Sequence, residues 1–190
     1  MPEQTHYCLF DTDLGACGLA WSERGLARLQ LPEADRSATE ERLQRRLAGA
    51  DPRAPPLQIA QAIADLQRYF AGKRVDFSQA SLDLSRVGAF YRAIYDAARR
   101  IGWGETTTYG EIARRVDTPG AARAVGQAMG RNPVPIIIPC HRVLASGDRI
   151  GGFSAFGGRL AKEQLLALEG VHLGGGTPLL PGLLPAGRRA

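Results

Sequence analysis

Thr108-Tyr109-Gly110-Glu111-Ile112-Ala113-Arg114-Arg115-Val116-Asp117-Thr118-Pro119-Gly120-Ala121-Ala122-Arg123-Ala124-Val125-Gly126-Gln127-Ala128-Met129-Gly130 reads as two short helices across a tight turn. The Thr108 hydroxyl is placed to cap a helix over 109–116, because the first turn of any helix leaves N–H groups without partners. Asp117-Thr118-Pro119-Gly120 has the residues of a turn, and 121–129 resumes helical spacing. This arrangement is a helix-turn-helix. Its second helix is unusual for one that reads bases in the major groove, since it carries only Arg123 and Gln127 as long polar side chains among Ala and Gly. A small-residue surface can approach a narrow groove closely and send a single Arg into it. The same alanines can equally pack against a neighbouring helix, and the pattern leaves both readings open.

Moving outward, Gly130 and Asn132-Pro133 stop the second helix, and an apolar run from Val134 to Ile138 leads into Pro139-Cys140-His141-Arg142-Val143. A Gly-rich loop follows, and a last helix is predicted over 159–169. On the N-terminal side, Phe90, Ile94, Ala97, Ala98 and Ile101 line one face of a helix that ends at Gly102. Residues 73–86 read as a connector. The first third reads as β: runs at 5–10, 17–21 and 26–31 are separated by turn residues. A helix is predicted from Ser37, with Glu40 three residues on as a capping box and Leu43 and Leu47 as its stripe, until Pro52, Pro55 and Pro56 break it. Ile59, Ile63, Leu66 and Phe70 mark a second helix over 57–70. The expectation is an α/β (α+β) chain with an N-terminal domain over 1–80, a helical C-terminal domain over 86–170 and a mobile tail over 171–190.

The chain has 190 residues, 44% hydrophobic and 23% charged, which suits one ordinary globular domain or two small ones and excludes wholesale disorder or collagen. No aliphatic run is long enough to span a membrane. Three irregularly spaced cysteines do not make a disulfide framework, so a reducing, cytoplasmic setting is expected. Net charge is uneven. Residues 1–85 hold 10 basic and 12 acidic residues, whereas 86–190 hold 14 and 7. A basic C-terminal half points to a polyanionic partner.

Cys8 and Cys17 lie in apolar strands and read as small buried hydrophobes. Cys140 differs, because His141 and Arg142 follow it and cationic neighbours lower a thiol pKa. Adjacent side chains of an extended segment point to opposite faces, so Cys140 and His141 need a turn or a water between them, and a third group to orient the histidine. Zinc is the competing use of His6, Cys8, Cys17, Cys140 and His141, but their spacing matches no zinc module. Gly151-Gly152 and Gly157-Gly158 lack the strand and helix of a phosphate loop and read as backbone that bends closely around something.

Asn132-Pro133-Val134-Pro135-Ile136-Ile137-Ile138-Pro139-Cys140-His141-Arg142-Val143 resembles the active-site signature of the O6-alkylguanine-DNA alkyltransferases, or methylated-DNA–protein-cysteine methyltransferases. Three further stretches agree in order and spacing: Gly104-Glu105-Thr106-Thr107-Thr108-Tyr109-Gly110-Glu111-Ile112-Ala113, Ala121-Ala122-Arg123-Ala124-Val125-Gly126, and Lys162-Glu163 with Leu165-Leu166 and Glu169-Gly170. The likeness spans roughly 86–170 and is weaker before it, through Leu66, Tyr69-Phe70-Ala71-Gly72 and Leu82-Asp83-Leu84. It implies a ribonuclease H-like N-terminal domain and direct-reversal DNA repair. Cys140 would take the alkyl group from O6-alkylguanine, and also from O4-alkylthymine, in one irreversible turnover after base flipping. His141 would act through a water, Glu169 would orient it, and Tyr109 would donate to the departing base and contact its phosphate. Arg123 would fill the vacated stack, with Ala122, Gly126, Thr118, Tyr109 and Ser146 also on DNA. Asn132, Pro139, Val143, Phe153, Ser154 and Met129 would form the base pocket. The resemblance implies a monomer that binds alkylated double-stranded DNA in the minor groove, with no membrane partner, no cofactor and no metal, since Ser22 stands where some relatives have a zinc-binding cysteine.

The chain departs from the family at Phe90-Tyr91-Arg92-Ala93-Ile94-Tyr95, where many relatives have Phe-Gln-x-x-Val-Trp, and at Phe153, where some have tyrosine. Two functions of other classes remain as rivals. A DNA-binding regulator would dimerise on half-sites and carry a sequence-reading helix. A Cys-His hydrolase would be indifferent to DNA.

Overall fold

The computed structural model describes residues 4–47, 49–147 and 149–173. The tail at 174–190, expected to be mobile, lies outside the described residues. The chain divides into two compact units that meet between Leu84 and Ser85.

The first unit is built on a four-stranded sheet in the order β3-β2-β1-β4. β1 (His6–Thr12), β2 (Gly15–Ser22) and β3 (Gly25–Gln30) form an antiparallel meander, and β4 (Asp51–Pro52) adds in parallel to β1. On one face Tyr7, Ala20 and Leu43 make a cluster, joined by Leu9, Leu47 and Ala50. Leu43 comes from α1 (Arg36–Gln44), which crosses β2 so closely that a Cβ at Gly18 would lie 2.7 Å from a Leu43 methyl. Glycine in β2 is therefore what admits the helix. The amphipathic α2 (Leu57–Phe70) packs against β1 and buries Ile59, Leu66, Tyr69 and Phe70.

The first helix starts earlier than its capping box suggested. Its cap is Asp35, whose side chain accepts from Ala38 N, and Glu40 instead accepts from the Tyr7 hydroxyl at 2.9 Å. The helix also ends at Gln44, before the prolines. The end of the expected connector belongs to the sheet. Leu26 N donates to Ser81 O at 2.9 Å, Asp83 N donates to Leu26 O at 2.8 Å, and Ser22 Oγ donates to Asp83 at 2.6 Å. These bonds cover the edge of β3, which would otherwise offer unpaired backbone.

In the second unit α3 (Ala89–Arg99), α4 (Tyr109–Arg115) and α5 (Ala122–Gly130) pack on one another. The Thr108 hydroxyl accepts from Glu111 N, and Thr118 N closes α4 on Ala113 O. Within the departure at Phe90–Tyr95, Tyr95 is buried and donates to Ala128 O of α5 at 2.8 Å, while Phe90 and Arg92 are exposed. This mostly helical unit also holds a small parallel ladder, β5 (Thr107–Thr108) with β6 (Val143–Leu144). It sets the start of α4 beside the segment that leaves Cys140. The last helix, α6 (Gly158–Leu168), closes with Val171 N on Leu166 O, so the first residue assigned to the tail still belongs to the helix end.

Candidate active site

The apolar run before Cys140 is a tight loop. Asn132 clamps it from both sides, donating from Nδ2 to Ile138 O at 2.7 Å and accepting from Val134 N at 2.9 Å. Ile138 N returns to Val134 O, and Cys140 N bonds Ile138 O. Ile136 at the loop's tip has φ of +72°, a conformation that β-branched residues rarely adopt. Such backbone persists where its surroundings hold it, and here the Ile138 N–Val134 O bond and the Asn132 amide close the loop around it.

Cys140–Arg142 then forms a single 3-10 turn. Successive side chains on such a turn are about 120° apart, so the opposition expected of an extended pair does not arise. His141 Nε2 lies 2.7 Å from Glu169 Oε1 at the end of α6. Arg142 grips the same carboxylate with two bonds, Nε to Oε2 at 2.8 Å and Nη2 to Oε1 at 2.9 Å, and its Nη1 donates to Ile101 O at 2.5 Å. Gly104 N adds a fourth donor at 3.3 Å. His141, Arg142 and Glu169 are all buried.

Sequence reasoning gave Arg142 the wrong partner. It was expected to lower the Cys140 thiol, but its charge is taken up by Glu169. Burial pushes the Cys140 thiol above its ordinary value, opposed by the Asn132 side chain, the Lys162 charge and backbone N–H groups. Burial thus favours the thiol over the thiolate. Burial likewise pushes the His141 imidazole down, against the pull of Glu169 and with the push of Arg142 and Lys162. A neutral imidazole beside a thiol is suited to take its proton.

Lys162 belongs to the stretch that carries the resemblance, which implies no role for it. It is fully buried, donates to Val143 O at 2.6 Å, and lies 3.5 Å from the Tyr109 hydroxyl and 5.6 Å from its ring centre. Burial brings its ammonium down to about 8, while the Cys140 charge pulls it up. Lys162 is thus the cation that favours a Cys140 thiolate. The signal was present in the sequence: Lys162 falls on the same helical stripe as the buried Leu165, Leu166 and Glu169.

Tyr109 remains a phenol, raised by burial and by the Cys140 charge, and it can donate. Gly151 packs against it: a Cβ there would stand 3.1 Å from the hydroxyl and 3.2 Å from Cε2, and φ is +67°. Gly151→Ala is therefore expected to displace the ring and slow reaction at Cys140 by about tenfold, on top of about 1 kcal/mol of backbone strain. Single-turnover rates with circular dichroism of the fold check this.

Of the other expected pocket residues, Val143, Pro139 and Met129 are buried, Phe153 is half-buried and Ser154 is exposed. On α5, Val125, Ala128 and Met129 face inward while Arg123 and Gln127 are exposed. Nothing lies within 4 Å of a Cβ built at Gly126 or Gly130. Ala128 thus packs inward, as one reading of the alanine-rich helix has it, and the space beside Gly126 and Gly130 is open. Thr118 is half-buried and Ser146 exposed.

Residues 89–171 match the DNA-binding domain of 6-O-methylguanine DNA methyltransferase, and residues 5–84 match the ribonuclease-like domain of the same family. A methylated-DNA–protein-cysteine methyltransferase of Mycolicibacterium paratuberculosis is 45% identical over 117 residues, 62% of this chain and 68% of the relative. One from Sulfolobus acidocaldarius is 36% identical over 168 residues, 88% of this chain and 94% of the relative. The crystal structure of Mycobacterium tuberculosis OGT in complex with DNA aligns with a TM-score of 0.72 at 37% identity, covering 86% of this chain and 92% of that one.

Proposed function

This chain belongs to the 6-O-methylguanine DNA methyltransferase family, and on that premise we propose that Cys140 is the residue that accepts the alkyl group from O6-alkylguanine in duplex DNA. The observation that carries the assignment is the buried Cys140-His141-Glu169 array beside Lys162 and Tyr109. His141 takes the thiol proton through a bridging water. The sulfur then forms a bond to the alkyl carbon as the carbon–O6 bond breaks, and the bonding pair passes to the guanine. The guanine gains one proton as Cys140 loses one, with Tyr109 donating to the base. Asn132, Pro139, Val143, Met129, Phe153 and Ser154 surround the flipped base. The thioether has no facile leaving group, so each molecule reacts once, and O4-alkylthymine is a second substrate of the same chemistry.

The acceptor lies inside a folded unit, so the base must leave its stack to reach it. The open small-residue stripe of α5 supports close approach to the minor groove, with Ala122, Gly126, Thr118 and Ser146 near the backbone and Arg123 filling the gap. The protein works as a monomer. Three cysteines outside any disulfide support a reducing, cytoplasmic setting. No helix among the described residues is long and apolar enough to cross a membrane.

The test is incubation with a duplex carrying O6-methylguanine, followed by peptide mass spectrometry. The Cys140 peptide gains one CH2 unit, and a gain at Cys8 or Cys17 would overturn the assignment. Arg123→Ala should slow repair of duplex DNA by about tenfold or more while sparing reaction with free O6-benzylguanine, because only the duplex leaves an unstacked gap costing a few kcal/mol. Equal losses on both substrates would make Arg123 a structural residue.

A further inference from the structure

Both oxygens of Glu169 are saturated, and the histidine provides only one of the donors. Oε1 is met by His141 Nε2 at 2.7 Å and Arg142 Nη2 at 2.9 Å, and Oε2 by Arg142 Nε at 2.8 Å and Gly104 N at 3.3 Å. The guanidinium is thus the principal counter-ion of the carboxylate, held in a planar two-bond fork that a lysine could not reproduce. Its third arm on Ile101 O fixes it to the loop after α3.

We propose that Arg142 is a positioning residue of the reaction: by taking both oxygens of Glu169 it leaves His141 a neutral base with its proton on Nε2 and its acceptor nitrogen at Nδ1.

Charge and proton placement lead to this. An ionised carboxylate can only accept, so the His141–Glu169 contact requires a proton on Nε2. An uncharged imidazole then has Nδ1 as its acceptor. Burial pushes it toward the uncharged form, and the charged groups around it add to that or oppose it. Facing His141 are the Glu169 carboxylate and the Lys162 ammonium from α6, and Arg142 from its own turn. With Arg142 present, the buried Glu169 carboxylate already has its cation, and an imidazolium would be a further positive charge beside Lys162. Without Arg142, Glu169 would draw a proton onto His141, because a buried carboxylate needs a partner. A histidine with both nitrogens protonated cannot accept from the thiol. The family motif read in sequence placed Arg142 next to the nucleophile, whereas the geometry gives it to the far end of the relay.

The inference rests on Cys140 being the acceptor, and its test reads the two separately. Imidazole 15N resonances of the full-length protein are followed against pH, alongside alkyl transfer from an O6-methylguanine duplex. In the native protein His141 should show the neutral Nε2–H form at neutral pH and retain it below the ordinary histidine value of about 6.5. In Arg142→Met it should titrate above that value. The acid limb of the transfer rate should move up with it, giving at least about a tenfold loss near pH 6 that recovers in alkali. Arg142→Lys keeps the charge but not the fork and should fall between. A native His141 that is an imidazolium, or carries its proton on Nδ1, overturns the proposal even if Arg142→Met does not fold. So does a loss of rate that is equal at every pH with the His141 titration unmoved. Native protein with the expected resonances and no transfer to Cys140 would instead overturn the function.

Discussion

Cys140→Ser is expected to abolish alkyl transfer, with no thioether detectable by mass spectrometry, while binding of undamaged duplex is retained. Serine preserves the size and the hydrogen-bonding turn, so the loss isolates the chemistry. An alkyl carbon is saturated, and attack on it gains nothing from donors that stabilise a carbonyl oxyanion. The nucleophile itself must be good at the working pH. A thiol can meet that need even though burial raises it, because Lys162 and the Asn132 side chain oppose the burial and His141 can remove the proton. An alcohol starts far above any thiol, and the same site cannot bring it into range. DNA contacts should persist, since Arg123 is exposed whereas the sulfur is buried and a serine there changes no surface side chain. Retained transfer in Cys140→Ser would place the acceptor elsewhere. Loss of DNA binding with it would mean that the Asn132 loop and α5 are not independent.

How far the site could be read in the sequence depended on whether its signals were local. Thr108 as a cap and Pro119-Gly120 as a turn act within one helical turn, and the helix-turn-helix was legible for that reason, although Gly130 is still helical and the second helix is capped at Arg131. The start of α1 was less so, because Asp35 and Ser37 are both good caps. What decides between them lies outside the first turn: the Thr39 hydroxyl accepts from Glu33 N, and Glu40 accepts from the hydroxyl of Tyr7 in β1. The two-residue strands β4, β5 and β6 carry no period and could not be read, although β5 with β6 is what sets Tyr109 beside Cys140. The two buried cations of the site were legible only in part: the sequence sets Arg142 beside the thiol and Lys162 on the apolar stripe of the last helix, but only the fold shows that Arg142 meets Glu169 and that Lys162 lies against Tyr109.

Glu169→Gln should cost more stability than any other single polar substitution in the site. The change keeps the shape but removes the charge that Arg142 and His141 share. Gln has one acceptor oxygen and an NH2 group, so at least one arm of Arg142 would face a donor rather than an acceptor. Leaving a buried guanidinium without its anion typically costs about 3–5 kcal/mol. The pH dependence has a definite sign. Burial alone would raise the Glu169 carboxyl, but hydrogen bonds from His141 and Arg142, and their charges, bring it down to about 2 from an ordinary 4.5. The folded state therefore binds fewer protons than the unfolded one between those values. The stability this group contributes is complete above about pH 4.5 and is lost as pH falls toward 2, an amount of about 3 kcal/mol. Denaturant melts of the native protein should weaken steeply across that window. Glu169→Gln should start lower at neutral pH and lose less across it, since glutamine does not titrate. If the two proteins show the same acid slope, the carboxylate is not what joins the end of α6 to the Cys140 turn, and the relay must be oriented by the backbone alone.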